Sequence, residues 1–216
     1  MAPNSSRHVG QRIGVFVDVQ NMFYSAKILH QSKIDYGKLL EELGAGRHVV
    51  RAVAYVVRKA DVDQTGFLDA LTRFGYEIKS KELRQRPDGT AKGDWDMGIA
   101  IDSIALAPKL DTVILVSGDG DFVPLVEMLK AHGCRVEVAS FRRSTSADLV
   151  AAATEYRAIE ESVLFKEKKF ERSAYESRWQ PFGPLGPVEG AAAPAPAEKN
   201  GEVAPKPAAP TGNTEG

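Results

Sequence analysis

The chain is short of most residues on which familiar chemistries depend. It has a single cysteine in 216 residues, Cys134, so no disulfide can form within the chain and nothing points to an oxidising compartment. Cys134 reads as a small, semi-buried residue at the start of a strand. The four histidines, His8, His30, His48 and His132, share no ligand spacing, and no Ser/His/Asp set is apparent. Hydrolysis by a side-chain nucleophile is therefore not expected. No apolar run approaches the roughly 18 residues of a membrane span, and Met1–Arg12 lacks the apolar centre of a signal peptide. The expectation is a cytoplasmic protein without membrane contact.

Charge of one sign is also missing. The formal net charge is −1, neither basic enough to advertise nucleic acid nor acidic enough for a solvating tail protein. The balance is uneven, however. Residues 181–216 set Glu189, Glu198, Glu202 and Glu215 against Lys199 and Lys206, a net of −2, which leaves the remainder at +1. That remainder still contains the compact acidic set Asp18, Asp94, Asp96, Asp119 and Asp121. If those acids cluster, the surface around them is positive on balance, which suits a polyanionic substrate.

What is present is an alternation of two patterns. Arg12 to Val19 is a continuous apolar run ending beside a carboxylate, as in a strand buried on both faces. Asn21 is placed to cap a helix over Met22–His30, and Asp35–Leu43 repeats at helical spacing until Gly44 and Gly46 stop it. Val49–Val57 reads as a strand, Asp63–Phe74 as a helix closed by Gly75, and Tyr76–Leu83 as a third strand. After a basic, turn-rich stretch over 84–93, Trp95–Leu106 is helical and Thr112–Val116 is a fourth strand. Phe122–His132 (helix), Arg135–Phe141 (strand) and Ser144–Tyr156 (helix) complete the series. Strands alternating with helices predict an α/β fold, a three-layer α/β/α sandwich around a parallel sheet with right-handed crossovers.

Past residue 171 the composition changes. The 36 residues from 181 hold eight prolines, eight alanines and six glycines, but only Phe182, Leu185, Val188 and Val203 as large apolar residues. Such a segment cannot bury enough to offset the entropy of ordering it. The expected organisation is a flexible N-terminus over 1–11, a folded α/β domain over 12–156, a solvated terminal helix over 157–171 and a disordered tail over 172–216. The tail is read as a segment that can gather other proteins, and a homo-oligomer is compatible with the sequence.

The acids fall where an α/β sheet builds sites. Asp18 ends the first strand, Asp119 and Asp121 follow the fourth, and Asp94 and Asp96 open a helix after the basic stretch. Ligands of open α/β sheets bind beyond the carboxyl ends of the strands, where the strand order reverses. Each acid also has a plainer reading: Asp18, Asp119 and Asp121 as caps and turn residues, Asp96 as a favourable charge at a helix start. Asp102, inside its helix, reads equally well as a structural partner for a basic residue. Carboxylates packed together repel and titrate upward unless a hard cation such as Mg²⁺ or Mn²⁺ is present to take them as oxygen ligands. Two such ions about 4 Å apart would clamp a phosphodiester for in-line attack.

The motifs then become specific. Val15-Phe16-Val17-Asp18-Val19-Gln20-Asn21, Lys92-Gly93-Asp94-Trp95-Asp96 leading to Ile101-Asp102, and Ser117-Gly118-Asp119-Gly120-Asp121-Phe122 resemble the NYN domain of the LabA-like branch, within the PIN-like nuclease superfamily. The similarity runs over about 12–152. It implies a PIN-like sheet of strand order 3-2-1-4-5 and a pocket for Mg²⁺ or Mn²⁺, with two ions expected. Asp18, Asp96, Asp119 and Asp121 match the family's acidic ligands, and Asp94 competes with Asp96 for the same place. Asn21 matches the polar residue near the first aspartate, Ser117 the small hydroxyl that orients the pocket, and Lys92 the lysine before the central acid. Arg142 and Arg143, after the fifth strand, are placed to touch phosphates without reading sequence. Trp95 is the foremost candidate to stack on a base, ahead of Tyr24 and Phe122.

The implied activity is a Mg²⁺- or Mn²⁺-dependent ribonuclease acting on single-stranded RNA, with RNA favoured over DNA by family tendency. The rival is a non-catalytic RNA-binding or regulatory adaptor on the same scaffold. A receiver-like phosphate-binding module would want a lysine after the last strand, where Arg142-Arg143-Ser144 stands instead.

Overall fold

A computed structural model describes residues 10–58, 62–85, 91–92 and 94–165. Residues 1–9, 59–61, 86–90, 93, the 166–171 part of the expected terminal helix and the expected tail from 172 lie outside the described residues.

The element order is β1 (Arg12–Asp18), α1 (Val19–His30), α2 (Tyr36–Gly44), β2 (His48–Arg58), α3 (Thr65–Arg73), β3 (Glu77–Glu82), β4 (Arg84–Gln85), β5 (Ala91–Lys92), α4 (Asp96–Leu106), β6 (Thr112–Val116), α5 (Val123–Ala131), β7 (Arg135–Ser140), α6 (Ala147–Ala152) and β8 (Glu155–Ala158). Six strands form one sheet in the order β3-β2-β1-β6-β7-β8, every neighbouring pair parallel. β4 and β5 form a separate short antiparallel ribbon.

The continuous apolar runs explain the layering. β1 lies mid-sheet and is covered on both faces, so its side chains alternate between two cores rather than between core and water. Val15 and Val17 join Met22 of α1, Leu39 of α2 and Leu71 of α3 on one face. Phe16 joins Ile99 of α4, Val126 and Leu129 of α5 and Leu149 of α6 on the other. Helices α1–α3 thus cover one side of the sheet and α4–α6 the other.

From β1 the chain moves outward through β2 to β3, then returns to the far side of β1 to lay down β6. The order reverses between β1 and β6, and the carboxyl ends of these two strands carry Asp18 and the loop Ser117–Asp121. The sheet's switch point is therefore where the acids are delivered.

The structure departs from the sequence reading in three places. The expected five strands are six, because the region read as one helix over Ser144–Tyr156 breaks into a 3-10 turn at Arg142–Ser144, the short α6 and strand β8. Glu155–Ala158 pairs parallel with β7, so the expected terminal helix does not begin at 157. Tertiary contacts select the strand: Thr154 exchanges hydrogen bonds with the Val136 backbone, and Arg157 reaches Glu137. Helix α1 starts at Val19, earlier than expected, because Asp18 and not Asn21 is its cap, accepting from the Asn21 N–H at 3.0 Å. The helix after β6 is preceded by a 3-10 turn over Gly120–Phe122.

Candidate metal centre

The site is assembled from the ends of β1 and β6 and the first turn of α4. Asp18 is carried by a buried strand and is itself half-buried, one oxygen engaged by the Asn21 N–H. Asn21 turns the other way: its side-chain Oδ1 accepts from the Gly118 N–H at 3.0 Å, fastening the start of α1 to the loop after β6. In that loop Ser117 is fully buried, and its Oγ accepts from the Asp119 N–H at 3.3 Å. Asp119 in turn caps the 3-10 turn, accepting from the Asp121 N–H at 3.0 Å.

Gly118 is needed here for space. A Cβ on it would lie 2.4 Å from the Ser144 carbonyl oxygen, backbone against backbone, where neither side can give way easily. The Gly118 carbonyl also accepts from the Ser146 N–H at 2.9 Å. The acidic loop is thus clamped between α1 and the segment following β7.

One carboxylate oxygen each from Asp96, Asp119 and Asp121 lies within 4.8 Å of the others. Among the residues whose side chains are described, no lysine or arginine forms a salt bridge with any of the three at 4.0 Å or less. Asp96 enters from the first turn of α4, whereas Asp94 is exposed and outside the group, so Asp96 is the member of that pair that faces the site. The expected convergence of four acids is realised as three, with Asp18 alongside and not within the group.

The electrostatics report the crowding. Burial, then the charges of Asp96 and Asp119, push Asp18 up to about 7 against the opposing backbone hydrogen bonds. Burial, then Asp119, Asp94 and Asp121, push Asp96 up to about 6, with Lys81 pulling the other way. Asp119 is raised by burial and by Asp121, partly offset by its capping bond. Three oxygen donors in mutual repulsion, relieved only in part by Lys81, fit a hard divalent ion such as Mg²⁺ or Mn²⁺.

The remaining sequence candidates are distributed differently. Arg142 and Arg143 are exposed on the turn after β7, with the Arg142 guanidinium 5.2 Å from the Tyr156 ring centroid. For Lys92 only the backbone, in β5, is described. Trp95 is not a free platform: its Nε1–H donates to the Val56 carbonyl at 3.0 Å, and its ring lies 5.4 Å from that of Tyr55. Tyr24 and Phe122 are buried in the two cores and are not available to stack on a base. Asp102 is the structural partner considered for it, taking Lys79 Nζ and the Tyr55 hydroxyl, each at 2.7 Å. Lys81, like Lys79 a basic residue of the third strand in the sequence, lies near the end of β3.

Comparison with known proteins agrees with this geometry. The NYN domain profile matches residues 12–160. The Low amplitude and bright protein LabA of Synechococcus elongatus is 30% identical over 165 residues, covering 73% of this chain and 88% of the relative. An uncharacterized protein of Methanocaldococcus jannaschii is 26% identical over 166 residues, covering 73% of this chain and 62% of the relative. The crystal structure of a Vibrio parahaemolyticus protein of unknown function superposes with a TM-score of 0.68 at 39% identity, covering 72% of this chain and 97% of that one.

Proposed function

The chain belongs to the NYN domain family, and from that premise we propose that it is a metal-dependent nuclease hydrolysing phosphodiester bonds in single-stranded RNA. The family is PIN-like and its members are generally nucleases. The observation that carries the reading is the convergence of Asp96, Asp119 and Asp121 at the sheet's switch point, with no salt bridge to them among the described side chains. A scaffold with no ion to bind gains nothing from holding three carboxylates together.

In this reading Asp96, Asp119 and Asp121 hold the ion. A divalent ion there supplies charge neutralisation and Lewis acidity toward a phosphodiester. Asp18, half-buried beside the group, completes the acidic set. Three converging oxygens make one ion site, and the two-ion scheme rests on Asp18 helping to form a second. Asn21 and Ser117 act on the Gly118–Asp121 loop rather than on substrate, since their side-chain oxygens are taken by its backbone. Arg142 and Arg143, with Lys92, bind phosphates without reading bases.

The test is an incubation of the purified protein with labelled single-stranded RNA and DNA in Mn²⁺, Mg²⁺ or EDTA, beside Asp119→Asn. RNA cleavage is expected with either metal, none in EDTA, and a fall on the order of 10²–10³-fold in the variant. Cleavage indifferent to EDTA or to the substitution contradicts the reading. Metal binding without cleavage of any strand favours the adaptor instead.

A further inference from the structure

Two cations that flank the acids in the order of the sheet each rest on an aromatic ring. Lys81 is one. Strand alternation puts it on the same face of β3 as Lys79, but the two amines are used differently. Lys79 is consumed by Asp102 at 2.7 Å. Lys81 has no carboxylate within salt-bridge distance among the described residues, and its Nζ lies 4.7 Å from the centroid of the Trp95 ring.

The ring beneath it is fixed on several sides. Trp95 Nε1–H is tied to Val56, Tyr55 packs against the ring, and Gly98 leaves it room, since a Cβ there would lie 2.5 Å from a ring carbon. Trp95 also immediately precedes Asp96 in the chain. A lysine whose task was to neutralise Asp96 would close onto the carboxylate; this one is propped beside it.

Arg142 is the other. It lies over Tyr156, whose hydroxyl donates to the Ser140 carbonyl at 2.8 Å, and the turn that bears it follows β7. In the strand order β3-β2-β1-β6-β7, the acids occupy the centre, Lys81 stands on one flank and Arg142 on the other. The spacing of neighbouring strands puts these flanks roughly 19 Å apart, several nucleotides of a single strand.

We propose that Lys81 on Trp95 and Arg142 on Tyr156 are paired phosphate contacts that lay one polynucleotide strand across the carboxyl edge of the sheet, so that an internal phosphodiester meets the carboxylate group. This rests on the nuclease reading for its ligand class, and it changes the part played by Trp95. The indole supports a cation and does not stack on a base. The aromatic props restrict each cation in advance, which lowers the entropic cost of binding a phosphate.

The experiment is fluorescence anisotropy of a fluorescein-labelled single-stranded oligouridylate with the full chain in EDTA, at a series of salt concentrations. Variants are Lys81→Ala, Lys81→Arg, Arg142→Ala and the double alanine, with Lys38→Ala, an exposed lysine on α2, as control. Each single alanine variant is expected to reduce the steepness of log affinity against log salt by about 0.7, and the double by about 1.4. Lys81→Arg and Lys38→Ala should keep the wild-type slope. Unchanged slopes in variants whose thermal midpoints match wild type overturn the proposal, as does a wild type that binds no strand at low salt. A parallel cleavage assay in Mn²⁺ separates the two ideas. Cleavage with unaltered slopes removes the paired contacts and leaves the nuclease, whereas reduced slopes without cleavage do the reverse.

Discussion

Glu137 on β7 and the carboxylates beyond β1 and β6 are acids of one sheet held in opposite ways. Glu137 is 1% exposed and is surrounded by cations: Arg47 Nη1 at 2.8 Å, Arg157 Nη1 at 3.4 Å and Arg135 Nε at 3.5 Å. Burial is the largest influence and pushes its carboxyl up, but Arg47 and Arg157 together outweigh it and the group is held below its usual range. Asp18, Asp96 and Asp119 are half-buried, form no salt bridge among the described side chains, and are all raised, burial being the largest cause in each. The contrast separates two uses of a buried charge. Glu137 is satisfied from within and ties β7 to β8 and to the end of α2, where Arg157 also donates to the Glu42 and Leu43 carbonyls. Under the proposed function, the aspartates are left for a cation to satisfy.

Breaking the satisfied side should have the largest effect on stability. Glu137→Ala leaves Arg47, only 4% exposed, without its partner, and urea unfolding should show a loss of about 3–5 kcal/mol. Metal affinity in whatever folded fraction remains should match wild type. A change in metal binding comparable with the loss of stability would erase the division between the two regions.

On the other side, Gly118→Ala forces a Cβ against the Ser144 carbonyl and displaces the loop bearing Asp119 and Asp121. Overpacking of this kind costs about 1–3 kcal/mol, and disturbance of the ligand loop should weaken Mn²⁺ binding by about 10–100-fold. Calorimetric titration measures the second effect, and unaltered affinity would show that the loop is not what positions the ligands.

pH sharpens the comparison because the two regions respond with opposite signs. Asp18 and Asp96 have folded pKa values of about 7 and about 6, above those of the unfolded chain. The native state therefore takes up protons first, and metal-free stability should rise as pH falls from about 8 toward about 5. Glu137, with its lowered value, contributes stability above the unfolded carboxyl pKa and loses it as pH falls further, through its folded pKa. The metal-free protein should melt about 3 °C or more higher at pH 5.5 than at pH 8, a trend that saturating Mn²⁺ removes by keeping the aspartates ionised. A metal-free midpoint that is highest at pH 8 would mean that the aspartates are not crowded as described.

Much of this was legible in the sequence, for identifiable reasons. Val15–Val17 and Val113–Val116 are unbroken apolar runs, and such runs admit few alternatives to a strand buried on both faces. Asp18, Asp119 and Asp121 follow those runs directly, so their delivery to one sheet edge required no knowledge of distant contacts, whereas Asp96 enters from α4. β8 was not legible, because Glu155–Ala158 has no strong strand pattern and is held by Val136, Glu137 and other residues of β7. Glu137 was hidden as well: between Val136 and Val138 it looks solvent-facing, and Arg47, which makes it buriable, is 90 positions away. Trp95, flanked by two aspartates, looks exposed until Gly98 and the Val56 carbonyl make room for it and anchor it. Asp18 proved to be both a helix cap and a member of the acidic surroundings, two roles that the sequence presents as alternatives.

The central claim, that the unsatisfied aspartates form a divalent metal centre, is tested most directly by thermal melting at pH 8 across a Mn²⁺ titration. Wild type should rise in midpoint with metal concentration, while Asp119→Asn should start at or above the metal-free wild-type midpoint and respond weakly or not at all. A wild type indifferent to Mn²⁺, or a variant that follows it in parallel, would contradict the account.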